Sequence, residues 1–140
     1  MVKDELDHKI LCYLKENSRA SYAQIGREIG LSASAVGERI QRLEQTDVIK
    51  GYRTLIDPKK MGFSVSAYIH MSLESKNFHS FVATLDSFSE IEHCSRVTGE
   101  TCLIMKINVK DSDHLQRFID RLAKHGNPST QVILSDIITA

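Results

Sequence analysis

The stretch S-A-S-A-V-G-E-R-I-Q-R-L-E-Q-T-D, residues 32 to 47, decides how the N-terminal part of this chain folds. Val36, Ile40 and Leu43 are spaced by four and then three residues, which places them on one stripe of an α-helix. At about 100° per residue, the opposite face carries the polar side chains of Ser34, Glu38, Gln41, Arg42 and Gln45. The pattern therefore predicts an amphipathic helix with an apolar stripe on a core and a free polar face.

A shorter helix is predicted just before this one. Ser21 and Gln24 have the spacing of a capping box and precede a short apolar pattern. Gly30 then interrupts the pattern, and Ser32 can cap the free N–H groups of the next helix. Two short helices joined by a tight turn with a glycine are typical of a helix-turn-helix, whose second helix enters the major groove of DNA.

The neighbouring residues extend this unit. Apolar residues recur at helical spacing from Leu6 to Leu14, which predicts a first helix, and Asp4 or Asp7 can stabilise its start. Residues 48–56 are a β-prone run and predict a strand or wing. Together the elements predict a winged helix-turn-helix domain over residues 1–57.

The composition changes after this domain. Residues 58–63 contain Pro58 and Gly62, which interrupt regular secondary structure, so this segment is predicted to be a hinge. Apolar residues then alternate with polar ones from Ser64 to Leu73, as in a strand. A helical stripe follows, formed by Phe78, Phe81, Val82 and Leu85.

The remaining pattern predicts three more strands and one helix. Strands are expected at Ile91–Thr98 and Thr101–Val109 around a tight hairpin at Gly99 and Glu100, and a last strand at Thr130–Thr139. The helix between them begins at Asp111, with Leu115, Phe118, Ile119 and Leu122 inward. The order β-α-β-β-α-β over residues 64–140 is that of a ferredoxin-like domain, so the whole chain is predicted to be α+β.

The sheet of such a domain has one face without helices. The strand Leu103–Val109 has apolar residues on both faces, since Ile104 points away from the side that Leu103 and Met105 share. An uncovered face with apolar residues predicts packing against a second copy, and hence a homodimer.

Charge and cysteine content exclude several classes. Eighteen basic and eighteen acidic residues give no net charge, so one copy is expected to bind DNA weakly. Affinity is expected to come from two or more copies that bind the same duplex. Three cysteines without C-x-x-C spacing and scattered histidines predict no disulfide framework and no metal site. Without a signal peptide or an apolar run long enough for a membrane, a cytoplasmic protein is expected.

Three segments resemble one protein family. L-S-A-S-A-V-G-E-R-I-Q-R-L-E-Q-T-D-V-I-K-G-Y from Leu31 to Tyr52, D-P-K-K-M-G at 57–62 and V-T-G-E at 97–100 are similar to the Lrp/AsnC group, the feast/famine transcriptional regulators. The resemblance implies a homo-oligomeric regulator that binds double-stranded DNA without a cofactor. It also implies a C-terminal domain that dimerises, assembles into octamers or similar rings, and often binds an amino acid between dimers.

The resemblance also implies two sets of site residues. The DNA-contacting set comprises Tyr22, Gln24, Ser32, Ser34, Ala35, Glu38, Arg39, Arg42 and Arg53. The effector region comprises Thr98, Gly99, Glu100, Thr101 and Cys102, with Leu134 from the last strand.

The effector loop departs from the pattern of the family. Many effector-binding members resemble G-E-Y-D here, and the aspartate suits the amino group of a bound amino acid. Thr101 and Cys102 replace the aromatic residue and the aspartate, and a thiol is neutral at pH 7 unless its pKa is lowered. The departure leaves three alternatives open, namely an amino acid, another small effector, or no effector.

Two kinds of alternative stay open at this point. Arg42 is expected to point outward to a phosphate or a guanine, while Arg39 can equally form a structural ion pair. The alternative function is an enzyme, because tetrapyrrole-processing decarboxylases resemble this family. His93, Arg96 and His125 are the residues that such an activity would use, although no nucleophile and base are legible together.

Overall fold

The computed structural model describes residues 2–138 and divides the chain into two compact units, the first ending at Leu55 and the second beginning at Ile56. The first unit contains three helices, α1 (Glu5–Glu16), α2 (Tyr22–Ile29) and α3 (Ala33–Gln45). The second contains β1 (Val65–Ser72), α4 (Ser75–Val82), β2 (Ile91–Arg96), β3 (Leu103–Val109), α5 (Ser112–Ala123) and β4 (Asn127–Val132).

Side-chain caps fix the starts of the three N-terminal helices. The carboxylate of Asp4 accepts a hydrogen bond from the Asp7 N–H at 3.0 Å. Ser21 and Gln24 form the predicted capping box, with bonds of 3.1 and 2.8 Å. Ser32 Oγ accepts from the Ala35 N–H at 3.2 Å. Each cap satisfies a donor that a helix start leaves free, so the predicted helix starts are confirmed.

The turn between α2 and α3 depends on two glycines. Gly30 adopts φ 77°, a left-handed conformation that favours glycine. The N–H groups of Gly30 and Leu31 both donate to the Gly26 carbonyl at 2.9 Å. A Cβ atom on Gly26 would lie 2.3 Å from the Leu31 carbonyl oxygen, so only glycine fits where the chain folds back.

The core of the first unit confirms the helical stripes. Val36, Ile40 and Leu43 of α3 are buried, and so are Ile10 and Ile25 from the two other helices. Ile29 is only partly buried. The apolar faces of three short helices thus meet in one cluster and leave the polar face of α3 outside.

Residues 48–56, where a strand or wing was predicted, form no strand within the single chain that the structure describes. Val48 and Ile49 donate their N–H groups to the Leu43 carbonyl at 2.9 and 3.0 Å, which closes the end of α3. The following residues run without a strand partner among the described residues, and a β-prone run needs such a partner to form a ladder. Within the predicted hinge, Pro58–Met61 forms a short 3-10 helix.

The second unit is a four-stranded antiparallel sheet in the order β2-β3-β1-β4, which confirms the ferredoxin-like topology. Ala67, Ile69 and Met71 of β1 and alternate residues of β3 form one core with Phe81 of α4 and with Phe118 of α5. Both helices therefore cover the same face of the sheet.

Three boundaries in this unit differ from the prediction. β2 ends at Arg96 and β3 begins at Leu103, so both strands are shorter than predicted. The predicted hairpin register is confirmed, since Cys94 faces Met105 and the Val97 N–H donates to the Cys102 carbonyl at 3.0 Å. Val82 is exposed because α4 ends there and Leu85 belongs to a separate 3-10 turn. The last strand begins at Asn127 and ends at Val132, and its edge position tolerates Pro128. The end of the predicted strand, Thr139, lies outside the described residues.

The uncovered sheet face is mostly polar, although Ile104 lies on it as predicted. Ile104 is only partly exposed and lies between polar neighbours. Lys106 pairs with Glu92 at 3.4 Å, and Asn108 accepts a hydrogen bond from Ser66 at 2.6 Å. The most exposed large apolar residues of the described chain instead follow β4 or lie before Pro58, with Leu134, Ile137 and Ile138 at 90%, 90% and 88% and Leu55 at 83%.

Replacing Gly26 with alanine tests the close approach at the turn. An alanine in a helix normally stabilises it by about 0.5–1 kcal/mol relative to glycine, yet here the methyl group meets a backbone carbonyl. We expect Gly26→Ala to lower the free energy of unfolding by roughly 2–4 kcal/mol, measured by urea denaturation with circular dichroism. Gly30→Ala is the control, with a smaller loss of about 1 kcal/mol because only its φ is unfavourable. A stabilising Gly26→Ala would contradict the close approach.

Candidate nucleic-acid interface

The outer face of α3 is an exposed polar surface. Ser34, Glu38, Gln41 and Gln45 are all exposed, whereas the side chains on the opposite stripe are buried. Glu38 carries the only formal charge in this set. The surface can therefore offer hydroxyl, amide and carboxylate groups to base edges, and it carries no cation of its own.

The start of α3 has small side chains. Ser32 and Ser34 are exposed and their hydroxyl oxygens lie 3.1 Å apart, while Ala35 is partly buried. Free N–H groups and the helix dipole make such a start suitable for a phosphate. Ser32 itself serves as the cap, so its Oγ already accepts the Ala35 N–H.

Tyr22 and Gln24 flank this start on α2. A Cβ on Gly37 would lie 3.1 Å from the ring of Tyr22, so the ring packs closely over α3 while remaining 49% exposed. Gln24 uses its amide oxygen in the capping box, which leaves its amide N–H groups free. Both side chains are therefore brought beside the N-terminus of α3.

Arg42 does not point outward, and this part of the prediction is wrong. Its guanidinium forms an ion pair with the buried carboxylate of Asp7, and its side chain is only 28% exposed. Arg39 donates to Asp4 and Asp7, in each case at 2.8 Å, so it forms the structural ion pair that was one of its two alternatives. The cause is a tertiary contact, because the start of α1 packs beside α3 and places the carboxylates of Asp4 and Asp7 next to these two arginines.

The contacts of Asp7 explain how a carboxylate is stable inside this unit. Its burial disfavours the charged form, but the Lys3 N–H at 2.9 Å and the guanidinium groups of Arg39 and Arg42 together hold the pKa of Asp7 below its ordinary value. The hydrogen bond from Arg39 also lowers the pKa of Asp4. Both groups are thus charged at neutral pH, as an ion-paired cluster requires.

Arg53 lies in the extended segment after α3 and is exposed, as expected for a phosphate contact. Its neighbour Tyr52 ties that segment to α3, since the Tyr52 hydroxyl donates to Glu44 at 2.8 Å. Burial and this carboxylate raise the pKa of Tyr52 to about 12. Sequence reasoning missed three further cations, Arg19, Arg27 and Lys50, which are exposed and form no salt bridge with a described residue. These cations could have been predicted as phosphate contacts, because they lie near helix ends and turns.

The predicted effector residues fall into two places. Residues 98–102 form one loop, held where the Glu100 carbonyl accepts from Ser72 Oγ at 3.0 Å. Ser72 is the last residue of β1. Leu134 lies near the opposite end of β1, because the Ile133 N–H donates to the Ser66 carbonyl at 2.8 Å. Six residues of β1 separate the two anchors, or about 20 Å. One chain therefore does not bring Leu134 to the loop.

Cys102 is half-buried and turned toward its own sheet. Its thiol and its N–H both lie within hydrogen-bond distance of the Met71 carbonyl, at 3.2 and 3.0 Å. The thiol therefore does not project freely from the loop. Thr101 is also partly buried, whereas Thr98, Gly99 and Glu100 are exposed.

The residues proposed for an enzyme are not brought together. His93 contacts Ser95 at 2.8 Å, the Arg96 guanidinium lies 4.2 Å from the centre of the Phe78 ring, and His125 packs on Phe81 with ring centres 5.0 Å apart. Within residues 2–138, no cluster of three or more histidine, cysteine or acidic residues has the geometry of a metal site. None of the helices in this range has both the length and the apolar character needed to cross a bilayer.

A helix-turn-helix unit with a free polar helix face, followed by a ferredoxin-like unit, defines a class of two-domain DNA-binding regulator. The model of the AsnC-type helix-turn-helix domain matches residues 4–44, and that of the Lrp/AsnC ligand binding domain matches residues 66–139. The chain belongs to the Lrp/AsnC family of transcriptional regulators and is not an enzyme.

Individual relatives support the same assignment. The chain is 33% identical over 139 residues to the transcriptional regulator LrpC of Bacillus subtilis, covering 99% of this chain and 96% of the relative. The solved structure of LrpC matches with a TM-score of 0.93 over the full length of both chains. E. coli AsnC matches at 27% identity with a TM-score of 0.88, covering 100% of this chain and 97% of AsnC.

A structure with a bound amino acid is also similar. A transcriptional regulator from Neisseria meningitidis, solved as a complex with L-methionine, is 25% identical and has a TM-score of 0.92, covering 99% of this chain and 94% of that one.

Replacing Asp7 with asparagine tests the ion-pair cluster. The variant leaves two partly buried guanidinium groups with one fewer carboxylate, and we expect a loss of about 2 kcal/mol in the free energy of unfolding, less than for a fully buried pair. Glu5→Gln is the control, because Glu5 forms an exposed ion pair with Lys9, and it should change stability by less than about 0.5 kcal/mol.

The same variant should change the dependence of stability on pH. Because the pKa of Asp7 is lowered by folding, its contribution is present above its unfolded pKa of about 3.9 and is lost as pH falls through the folded pKa. Wild type should therefore lose more stability than Asp7→Asn on acidification below about pH 4, measured by urea denaturation at several pH values. Parallel pH profiles would contradict the role of Asp7.

Proposed function

We propose that this regulator reads double-stranded DNA with the outer face of α3 and does so as a homo-oligomer. The observation that carries the proposal is the exposed polar face of α3 beside a helix start with small side chains. Ser34 and Glu38 are proposed to face base edges, while Ser32 and Ala35 bring the helix start to a phosphate. Tyr22 and the free amide N–H groups of Gln24 approach from α2.

Phosphate contacts are proposed for four exposed cations near α2 and α3 that form no ion pair with a described residue. Arg53, Arg19, Arg27 and Lys50 are exposed, whereas Arg39 and Arg42 are held by aspartates. Four such cations in one copy give only modest affinity, and two copies on one duplex double the number of phosphates neutralised. Two α3 helices would then enter major grooves about one helical turn apart, near 34 Å.

The oligomer is proposed to be a dimer that assembles further, up to an octamer or a similar ring. The support comes from the apolar residues that follow β4, since Leu134, Ile137 and Ile138 are almost fully exposed in one chain. Side chains of this kind are normally covered in a stable assembly. A regulator of chromosomal DNA is also proposed to work in the cytoplasm.

An effector site is proposed at the loop of residues 98–102, completed by Leu134 of another copy. The support is the separation of these groups in one chain, together with the L-methionine complex of the Neisseria regulator. The half-buried Cys102 thiol cannot supply the charge of a carboxylate to an ammonium group. We therefore propose an effector other than an ordinary amino acid.

Selection of bound duplexes from a random pool tests the DNA-binding proposal. We expect enrichment of a pseudo-palindromic site and, by light scattering, a particle heavier than one chain. Repeating the selection with a panel of amino acids tests the effector. A monomer that enriches no sequence would overturn the proposal.

Arg53→Ala tests the phosphate contacts. Loss of one contact per copy should weaken binding to selected and random duplexes alike, and should reduce the slope of log K against log salt by about 0.9 for each copy on the DNA. The control is Arg117→Ala, an exposed arginine of the second unit. Equal slopes for the two variants in fluorescence anisotropy titrations would remove Arg53 from the interface.

L-Methionine tests the departure in the effector loop. We expect the midpoint of thermal unfolding to stay unchanged at about 1 mM L-methionine, because a ligand stabilises the folded state only when its concentration approaches its Kd. A clear rise of the midpoint would show that Thr101 and Cys102 do not prevent amino-acid binding.

A further inference from the structure

The two arginines of α3 are neutralised within the first unit. Arg39 Nη1 lies 2.8 Å from both carboxylate oxygens of Asp4 and 2.8 Å from Asp7, and Arg42 pairs with the other oxygen of Asp7. Two positive charges thus meet two negative charges from the start of α1. The arginine side chains are 22% and 28% exposed, so neither presents a free cation.

The position of these arginines makes their neutralisation relevant to DNA. Arg42 lies about 60° around the helix from the middle of the polar face and Arg39 about 120°. Long arginine side chains on the flank of a helix in the major groove would reach the phosphates that border the groove. The ion pairs turn them toward α1 instead.

The arrangement is not fully satisfied for Arg42. Its Nε is buried and has no hydrogen-bond partner among the described residues. A buried N–H donor without a partner is unfavourable. Its cost offsets part of the stabilisation that the ion pair between Arg42 and Asp7 provides.

We propose that Asp4 and Asp7 are specificity residues of this regulator: they hold Arg39 and Arg42 on α1 and so suppress the binding of random DNA. The inference rests on the proposed contact between α3 and DNA. Phosphate contacts supply nearly all of non-specific affinity, whereas contacts with base edges carry the sequence information. Withholding two arginines from the phosphates therefore raises the ratio of specific to non-specific binding, which decides occupancy of a site in a genome.

A matched pair of variants tests this proposal. Asp4→Asn removes one carboxylate from Arg39 but keeps an oxygen that can cap α1, since asparagine is as good a cap as aspartate. Glu5→Gln removes the same charge from the next residue, which pairs with Lys9 at 3.0 Å and with no arginine of α3. Affinity for a random-sequence duplex is measured by fluorescence anisotropy at about 50 and 200 mM salt, on full-length protein whose thermal unfolding is checked.

The proposal predicts a difference between the two variants. Asp4→Asn should bind random DNA more tightly than wild type, with a salt slope steeper by about 0.9 for each Arg39 released on the duplex, so that its advantage at the lower salt concentration grows about 3.5-fold for each such arginine. Glu5→Gln should keep the wild-type slope. Adding Arg39→Gln to Asp4→Asn should return the slope to that of wild type, because the released cation is then absent.

Three results would overturn the inference. Equal tightening by Asp4→Asn and Glu5→Gln would show a general effect of net charge, and weaker binding by a folded Asp4→Asn would show that the ion pair supports binding. A steep slope that persists in the double variant would show that Arg39 is not the cation involved. Wild type that fails to bind any selected duplex would instead contradict the proposed function itself.

Discussion

The buried carboxylate of Asp7 is the interaction on which the DNA-binding unit depends. It lies at the start of α1, has no exposed surface, and accepts hydrogen bonds from the Lys3 N–H and from the two arginines of α3. A buried carboxylate is unfavourable unless it is paired, and its removal would leave the guanidinium groups without a partner. The pair of α1 and α3 is therefore fixed by charge as well as by the apolar core.

This constraint determines what kind of surface α3 offers. With its arginines turned toward α1, the exposed face of the helix carries serine, glutamine and one glutamate. Such a face suits hydrogen bonding to bases better than attraction to phosphates. Exposed cations that form no ion pair with a described residue, such as Arg53 and Arg27, lie outside α3.

The second unit repeats the use of a buried carboxylate. Glu90 is 8% exposed and pairs with Arg121 at 2.9 Å and with His114 at 3.1 Å, both from α5. Burial disfavours its charge, but these partners hold the pKa of Glu90 below its usual value. These contacts attach α5 to the start of β2.

The loop of residues 98–102 and the exposed Leu134 lie at opposite ends of β1. An effector site that uses both needs more than one chain.

The sequence by itself determined the elements whose cause is local. The caps at Ser21 and Ser32, the turn at Gly30 and the stripe of Val36, Ile40 and Leu43 follow from hydrogen bonding and periodicity within a few residues. The alternation of β1 and the order of elements likewise fixed the ferredoxin-like topology.

Only the tertiary structure decided which groups meet across the chain. Periodicity placed Arg42 on the polar face, but Asp7, thirty-five residues away, draws it to the flank. The β-prone run at 48–56 forms no strand because a ladder needs a neighbour, and β4 ends at Val132, earlier than its composition suggests. Which residues pair over a long sequence separation depends on how the elements pack in three dimensions, and a local sequence pattern does not specify that packing.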